Sequence, residues 1–310
     1  MSTVNALGPA RTPGRPGPGP LPAALLRKVN LTVRRRIDGL LAGDHRSWAF
    51  GDGAELAQVR PYVPGDDVRL IDWNVTARTG EPHVRVHVAE RALETWLLLD
   101  TSASMTFGTS DRRKWDVAEG VSLAVGHFAV RRGNRLALAT FGDRDPVTAP
   151  ARQGNRGLLA LLVALRREPD LEPMGPTSLG AALGRIGALA RRRAVIVVVS
   201  DFRGPRDWRS RLLQLASRHH VVAIEIRDPR EQELPDVGDL WLVDPESGRQ
   251  LRVDTRSRKL RERFGAVAAA EREELSRELR SLGVSHLSLS TSGDWLKRLV
   301  GFVQTEGRRR

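Results

Sequence analysis

Residues 94–105 read E-T-W-L-L-L-D-T-S-A-S-M, an apolar run that ends in a carboxylate followed by two hydroxyl side chains at alternate positions. The three leucines predict a buried strand, and open α/β sheets bind ligands beyond the carboxyl ends of such strands. A loop leaving that end can turn Asp100, Ser102 and Ser104 toward one point. Small, hard oxygen atoms suit Mg²⁺, which takes roughly six oxygen ligands at ~2.1 Å and keeps some water. The stretch therefore outlines a metal site at the edge of a sheet.

The same pattern alone is also that of an ordinary capped turn, because Asp and Ser side chains bond to their own backbone. Two further segments favour the metal site. Thr177 lies in M-G-P-T-S-L-G-A-A-L, where a turn leads into a predicted helix. Asp201 ends A-V-I-V-V-V-S-D, the most apolar predicted strand of the chain. If the two strands are parallel neighbours, the three loops come together.

These residues resemble the metal-ion-dependent adhesion site of von Willebrand factor A domains. The resemblance implies that Ser102, Ser104 and Thr177 coordinate Mg²⁺ or another divalent cation directly. It also implies that Asp100 and Asp201 bind it directly or through water, and that a partner's Asp or Glu completes the coordination. The site residues predicted in this way are Asp100, Ser102, Ser104, Thr177 and Asp201.

A second resemblance lies upstream, in R-P-Y-V-P-G-D-D-V-R-L-I-D-W-N-V-T-A-R at residues 60–78. It is similar to the signature of the bacterial family called domain of unknown function fifty-eight, whose members carry an A-type fold after this segment. Within it, Asp66, Asp67, Arg69, Asp72 and Trp73 are interpreted as a buttress of Arg–carboxylate pairs and a buried indole. Nothing in the segment resembles a catalytic pair.

The predicted fold class is α/β, a doubly wound, mostly parallel sheet of the von Willebrand factor A type with an amino-terminal β-rich addition. A Pro- and Gly-rich stretch predicts a disordered tail at 1–22, and a helix is expected from about Ala24 to Leu41. We expect the helix and β-rich layer at 23–93, the A-type domain at 94–304 and a basic tail at 305–310. Strands are predicted at 95–100, 135–141, 146–150, 194–200, 221–226 and 284–290, a hairpin at 240–253, and helices at 113–131, 156–166, 178–191, 207–218, 257–281 and 293–303.

Composition bounds the function. The chain has 50 Lys and Arg against 37 Asp and Glu, a net charge of +13, and it has no cysteine. Basic residues are spread along the sequence without a helix-turn-helix, stacking aromatics or zinc-finger spacing, so we expect no specific nucleic-acid partner. No apolar stretch reaches the ~18 residues of a membrane span, and no signal-peptide core is seen, which predicts no membrane span and a cytoplasmic protein.

The sequence thus predicts a non-enzymatic, Mg²⁺-dependent protein-interaction module. The family resemblance implies work with a MoxR-type AAA+ ATPase or its client, as an adaptor. One alternative is a metal-independent scaffold that uses the signature segment and a basic face. Another is a phosphotransferase of the haloacid dehalogenase type, whose second Asp, two residues after the nucleophile, would be the proton donor. That position is Ser102 here, and an alcohol is a poor general acid near neutral pH.

Overall fold

A computed structural model of the protein describes residues 57–87, 93–131, 134–142, 146–165, 178–243 and 250–308. The predicted tail at 1–22, the predicted helix from Ala24 to Leu41, and Thr177 lie outside these described residues. Contacts separate a small unit, Gly51–Ala92, from a larger unit that includes Leu93–Arg310. Each unit is described by itself.

The small unit is an antiparallel pair of strands with two short helical segments. The pair consists of β1 (Ala57–Pro61) and β2 (His83–His87). Helix α1 (Trp73–Thr79) begins at Asp72, whose carboxylate accepts from the backbone N–H groups of Asn74 and Val75. A 3₁₀ turn at Val68–Leu70 is capped in the same way by Asp67. Sequence analysis predicted β structure here and missed the helix, since a helix of seven residues, about two turns, leaves little periodic signal.

The buttress interpretation had two parts, Arg–carboxylate pairs and a buried indole, and the structure treats them differently. Asp66 accepts a forked pair of hydrogen bonds, at 2.7 and 2.7 Å, from Arg60, an arginine that the interpretation did not name. The contact of the named Arg69 with Asp67 is made by its backbone N–H, at 2.9 Å. The prediction that the indole of Trp73 is buried is wrong, because this side chain is 71% exposed. Trp73 is the first residue of α1, and an N-terminal position on a short helix at the surface leaves it facing solvent.

The larger unit is built on a six-stranded sheet with the order β10-β7-β6-β3-β4-β5. Only β5, at one edge, runs antiparallel to its neighbour, so the sheet is mostly parallel as predicted. The strands are β3 (Glu94–Asp100), β4 (Arg135–Phe141), β5 (Thr148–Gln153), β6 (Ala194–Ser200), β7 (His220–Arg227) and β10 (Ser285–Ser290). A separate hairpin follows β7 and consists of β8 (Asp239–Val243) and β9 (Gln250–Asp254).

Helices cover both faces of this sheet. They are α2 (Lys114–Arg131), α3 (Asn155–Ala164), α4 (Leu179–Leu189), α5 (Arg209–Ala216), α6 (Arg258–Ser281) and α7 (Trp295–Arg308). The last helix continues to Arg308, beyond the predicted domain end at 304, so the expected basic tail at 305–310 is helical as far as it is described.

The core confirms the doubly wound arrangement. Leu97 and Leu99 on β3 pack with residues of α2, α3 and α7 on one side of the sheet. Trp96 and Leu98 alternate to the other side and pack with residues of α4, α5 and α6. Because both faces are covered, β3 and β6 are buried along nearly their whole length, and this is why their sequences read as continuous apolar runs.

The register of the two central strands positions the candidate site. β3 and β6 are parallel neighbours, and Leu99 lies opposite Val199. The next residues along each strand, Asp100 and Ser200, are therefore level at the carboxyl edge, and Asp201 follows immediately. Polar side chains from two sequence segments a hundred residues apart meet there because a parallel pair ends at one edge.

Candidate metal centre

The loop after β3 folds back on the carboxylate at its start. The backbone N–H of Ser102 donates to Asp100 Oδ1 at 3.0 Å, and a 3₁₀ turn at Ala103–Thr106 follows. This turn brings the hydroxyl oxygens of Ser102 and Ser104 to 3.1 Å from each other. Asp100, Ser102 and Ser104 are all buried. The D-T-S-A-S stretch therefore presents three oxygen-bearing side chains on one side of a tight turn.

The loop after β6 completes the cluster. The hydroxyl of Ser200 donates to Asp100 Oδ2 at 2.5 Å, and Ser104 hydrogen-bonds the carboxylate of Asp201. Asp201 Oδ1 also accepts from the backbone N–H of Arg203 at 3.1 Å. Phe202 has a φ of 55°, a left-handed conformation that a non-glycine residue adopts only when its surroundings hold it there. The backbone turn after β6 is thus specified as tightly as the turn after β3.

A small cavity opens between the two loops. Its lining includes Asp100, Ser102, Ser104, Ser200, Asp201 and Leu179, and it holds about 20 Å³. That is room for about one water molecule or ion. Two carboxylates and several hydroxyls around a space of this size fit a hard divalent cation that keeps some water. The donor set present in the described residues therefore suits the predicted group.

A third loop packs closely against the D-T-S-A-S turn through a glycine. Gly142, directly after β4, has a φ of 95°. A Cβ added there would lie 2.8 Å from the backbone nitrogen of Ser102 and 3.1 Å from Asp100 Oδ1. Only a residue without a side chain allows β4 to end this close to the D-T-S-A-S turn. Sequence analysis did not single out Gly142, because the pattern F-G-D after a strand is that of any turn.

The two aspartates differ in their electrostatics. Burial, followed by the nearby charge of Asp201, raises the pKa of Asp100 to about 7. Burial would also raise the pKa of Asp201, but the ammonium of Lys114, together with hydrogen bonds from Ser104 and the N–H of Arg203, outweighs it and the pKa is lowered. Two carboxylates that share one site repel each other, and the pair separates into one that holds its charge firmly and one that does not. A pair of this kind favours the arrival of a cation.

Lys114 is another residue that sequence analysis missed. It is the first residue of α2 and is fully buried. Its Nζ lies 2.5 Å from Asp201 Oδ2 and 2.7 Å from Glu231 Oε1. The neighbouring Trp115 is buried in the core. Nothing in the sequence relates Lys114 to partners that are 87 and 117 residues away.

The loop predicted to supply Thr177 is described only from residue 178 onward. Ser178 accepts from the backbone N–H of Ala181 at 3.0 Å and so caps α4, as the sequence suggested. Leu179, the first residue of α4, lines the cavity. The start of α4 therefore lies at the cavity wall. The role of Thr177 as a ligand stays a prediction.

In the described part of the chain, this cavity included, no place gathers three or more His, Cys, Asp or Glu side chains suited to a metal ion. A cation here would thus depend on hydroxyl ligands in addition to its carboxylates. None of the described helices is long and apolar enough to cross a membrane.

Comparison with solved structures finds low similarity. The conserved hypothetical protein BatB from Bacteroides thetaiotaomicron is 15% identical with a TM-score of 0.46, and the match covers 70% of this chain and 100% of that one. The VWA domain of SpRpn10 is 16% identical with a TM-score of 0.37, covering 67% of this chain and 94% of that one.

Sequence relatives are much closer. Uncharacterized proteins of Mycobacterium bovis and Mycobacterium tuberculosis are each 42% identical over 288 residues, which is 92% of this chain and 90% of theirs. The model of the family described as "Protein of unknown function DUF58" matches residues 58–274. That span includes the signature segment and all four described site residues. The chain belongs to the DUF58 family.

Proposed function

We propose that the protein is a protein-interaction module that binds Mg²⁺, or another divalent cation, and through it an acidic residue of a partner. One observation carries the proposal, which is that Asp100, Ser102, Ser104 and Asp201 all line one cavity of about 20 Å³ at the carboxyl edge of the sheet. The proposed ligands are these four together with Thr177.

The chemistry of the ligands explains why a partner is needed. Hydroxyls are neutral, so a cation held by Ser102 and Ser104 draws its charge compensation from Asp100 and Asp201 alone. Asp201 already pairs with Lys114, which leaves the cation short of negative charge. A carboxylate from a second molecule supplies both the missing charge and a missing oxygen ligand. A net charge of +13 on the chain attracts acidic partners over a longer range.

The identity of the partner rests on the family resemblance alone. In that reading the protein is an adaptor for a MoxR-type AAA+ ATPase or its client, and it acts in the cytoplasm. The proposal includes no catalysis by this chain. Ser102 stands where a haloacid dehalogenase-type phosphotransferase needs a second Asp as proton donor.

A second candidate is a metal-independent scaffold. It is favoured by the buried ammonium of Lys114, which already compensates Asp201 without any metal. It is also favoured by the exposed apolar side chains of Val63, Val68, Leu70 and Trp73 in the signature segment. Exposed apolar side chains gathered in one segment are typical of a contact surface. This scaffold would keep its partner when divalent cations are removed.

A pull-down separates the two candidates. The immobilised protein is incubated with a purified MoxR-type ATPase in Mg²⁺ and, in parallel, in EDTA. The same test is run with Asp100→Ala and with Asp239→Ala, a control that removes a carboxylate from the exposed β8–β9 hairpin. We expect capture by the unchanged protein and by Asp239→Ala in Mg²⁺ only, and loss of capture in Asp100→Ala. Equal capture in EDTA would favour the scaffold.

A further inference from the structure

The buried ammonium of Lys114 is unusual in its surroundings. Lysine is almost never fully buried unless it is paired, and here the side chain lies between two carboxylates and over an aromatic ring. The distances from Nζ are 2.5 Å to Asp201 Oδ2, 2.7 Å to Glu231 Oε1 and 5.8 Å to the ring centre of Phe107. Three different loops thus meet on one fixed positive charge.

The second carboxylate is itself held in place. Glu231 belongs to a 3₁₀ turn at Pro229–Glu231 that follows β7. Its other oxygen, Oε2, accepts from the backbone N–H of Asp228 at 3.0 Å. Glu231 therefore cannot follow Lys114 freely, and the ammonium is anchored at a fixed point beside the cavity. Asp201 in turn is held with Oδ2 against that point and Oδ1 against the N–H of Arg203.

This arrangement has two consequences for a cation in the cavity. The carboxylates of Asp201 and Asp100 are close enough to repel each other, and Lys114 offsets that repulsion when the cavity holds no divalent ion. The same ammonium occupies Asp201 Oδ2 and places a positive charge beside any divalent cation that enters. Lys114 therefore stabilises the cation-free site and opposes cation binding at the same time.

We infer that Lys114 is a built-in counter-ion of the site, which keeps Asp201 in position without metal and holds the affinity for divalent cations low. The inference rests on the proposed function. A site with this property takes up its cation firmly only when a partner's carboxylate arrives with it, so cation and partner bind cooperatively. The contacts responsible are the two ion pairs of Lys114, at the start of α2, with Asp201 in the loop after β6 and Glu231 in the loop after β7.

The test compares Mg²⁺ binding, by isothermal titration calorimetry, in the unchanged protein, Lys114→Met and the double variant Lys114→Met/Glu231→Gln. Methionine keeps the length of the side chain without its charge. The double variant removes one positive and one negative charge, so its net charge is that of the unchanged protein and it leaves one fewer unpaired buried carboxylate. Arg252→Met is the control, because it removes an exposed positive charge that pairs with Asp239 on the β8–β9 hairpin, outside the cavity lining.

We expect Lys114→Met to bind Mg²⁺ roughly tenfold more tightly, from the loss of one adjacent positive charge, and the double variant to bind more tightly than the unchanged protein. Arg252→Met should bind with unchanged affinity. Thermal unfolding is the second readout. The melting temperature of Lys114→Met in EDTA should be lower than that of the unchanged protein, and Mg²⁺ should raise it by more than it raises that of the unchanged protein.

The outcomes separate this inference from the proposed function. If the unchanged protein binds Mg²⁺ and both Lys114 variants bind it equally or more weakly, the inference alone is overturned. If only the variants bind Mg²⁺, the counter-ion role is supported, and the proposed function is then decided by the pull-down, in which equal capture by the unchanged protein in Mg²⁺ and in EDTA would overturn it. If neither the unchanged protein nor any variant binds Mg²⁺, both are overturned.

Discussion

Two groups of buried carboxylates lie at the carboxyl edge of the same sheet, and they are built differently. Asp228, after β7, accepts from the N–H of Thr109 at 2.8 Å, the hydroxyl of Thr109 at 2.5 Å, the N–H of Arg230 at 2.9 Å and the hydroxyl of Thr291 at 2.7 Å. Each of its oxygens receives two donors. Asp100 and Asp201 instead line a cavity and face each other's charge.

The pKa values follow the same division. Burial alone would raise the pKa of Asp228, but the hydrogen bonds from Thr109 and Thr291 outweigh it and the pKa is lowered. Burial and the charge of Asp201 raise the pKa of Asp100 to about 7. Burial of a carboxylate therefore does not mark a binding site by itself. What distinguishes the candidate site is carboxylates that repel each other beside an open space, where a cation would relieve the repulsion.

The largest effect is expected from Asp228→Ala. This change leaves four donors without their acceptor and disconnects Thr109 and Thr291 from the end of β7. We expect the free energy of unfolding to fall by about 3 to 4 kcal/mol, measured by urea denaturation. Asp100→Ala should cost much less, because it removes a carboxylate that is repelled by its neighbour. Equal losses in the two variants would contradict a difference in structural role between Asp228 and Asp100.

The pH dependence of stability tests the structural carboxylate. Because the pKa of Asp228 is lowered in the folded protein, its contribution is fully present above the ordinary Asp pKa of about 4 and is lost as the pH falls through the lowered value. The unfolding free energy should therefore decline more steeply below about pH 4 in the unchanged protein than in Asp228→Asn. Parallel pH profiles for the two proteins would show that Asp228 contributes no such stability.

Gly142→Ala should damage stability and cation binding together. The new Cβ would meet the backbone of Ser102 at a φ of 95°, so the D-T-S-A-S turn must shift. We expect a loss of about 2 kcal/mol in unfolding free energy and weaker Mg²⁺ binding. Gly80→Ala is the matched control, with a φ of 75° but nothing within 4 Å of its Cβ. It should cost some stability and leave Mg²⁺ affinity unchanged. Equal Mg²⁺ affinities in the two variants would show that a side chain at Gly142 does not affect cation binding.

The smallest effect is expected from Ser102→Ala. A neutral hydroxyl can be replaced by water in the coordination of Mg²⁺, so affinity should fall only a few-fold. Ser122→Ala serves as the control, since Ser122 is a buried serine that donates to a carbonyl within α2, outside the cavity lining. Calorimetric titration of both variants checks the prediction. A loss after Ser122→Ala as large as after Ser102→Ala would mean that the effect comes from the fold.

Much of the fold was predictable, for a physical reason. β3 and β6 are covered on both faces, so the chain must be apolar at every position there, and runs such as L-L-L and V-I-V-V-V leave few other structures. The alternation of these strands with amphipathic helices then predicts a parallel sheet. The proximity of Asp100 to Asp201 follows from that sheet alone.

The parts that were missed depend on contacts that local sequence does not encode. Ser200 reaches Asp100 only because of the register between β3 and β6. Lys114 reads as an ordinary polar residue at a helix start until three loops enclose it. Trp73 was expected to be buried because tryptophan is mostly apolar, but a surface helix in a small unit leaves it exposed.

The central claim is that the cavity between Asp100 and Asp201 holds a divalent cation. Calorimetric titration of Mg²⁺ into the unchanged protein and into Asp100→Ala, each checked by thermal unfolding, tests it most directly. The account predicts binding of about one equivalent by the unchanged protein, and loss of at least about tenfold in affinity by a variant that is still folded. The same Mg²⁺ affinity in both proteins would contradict it.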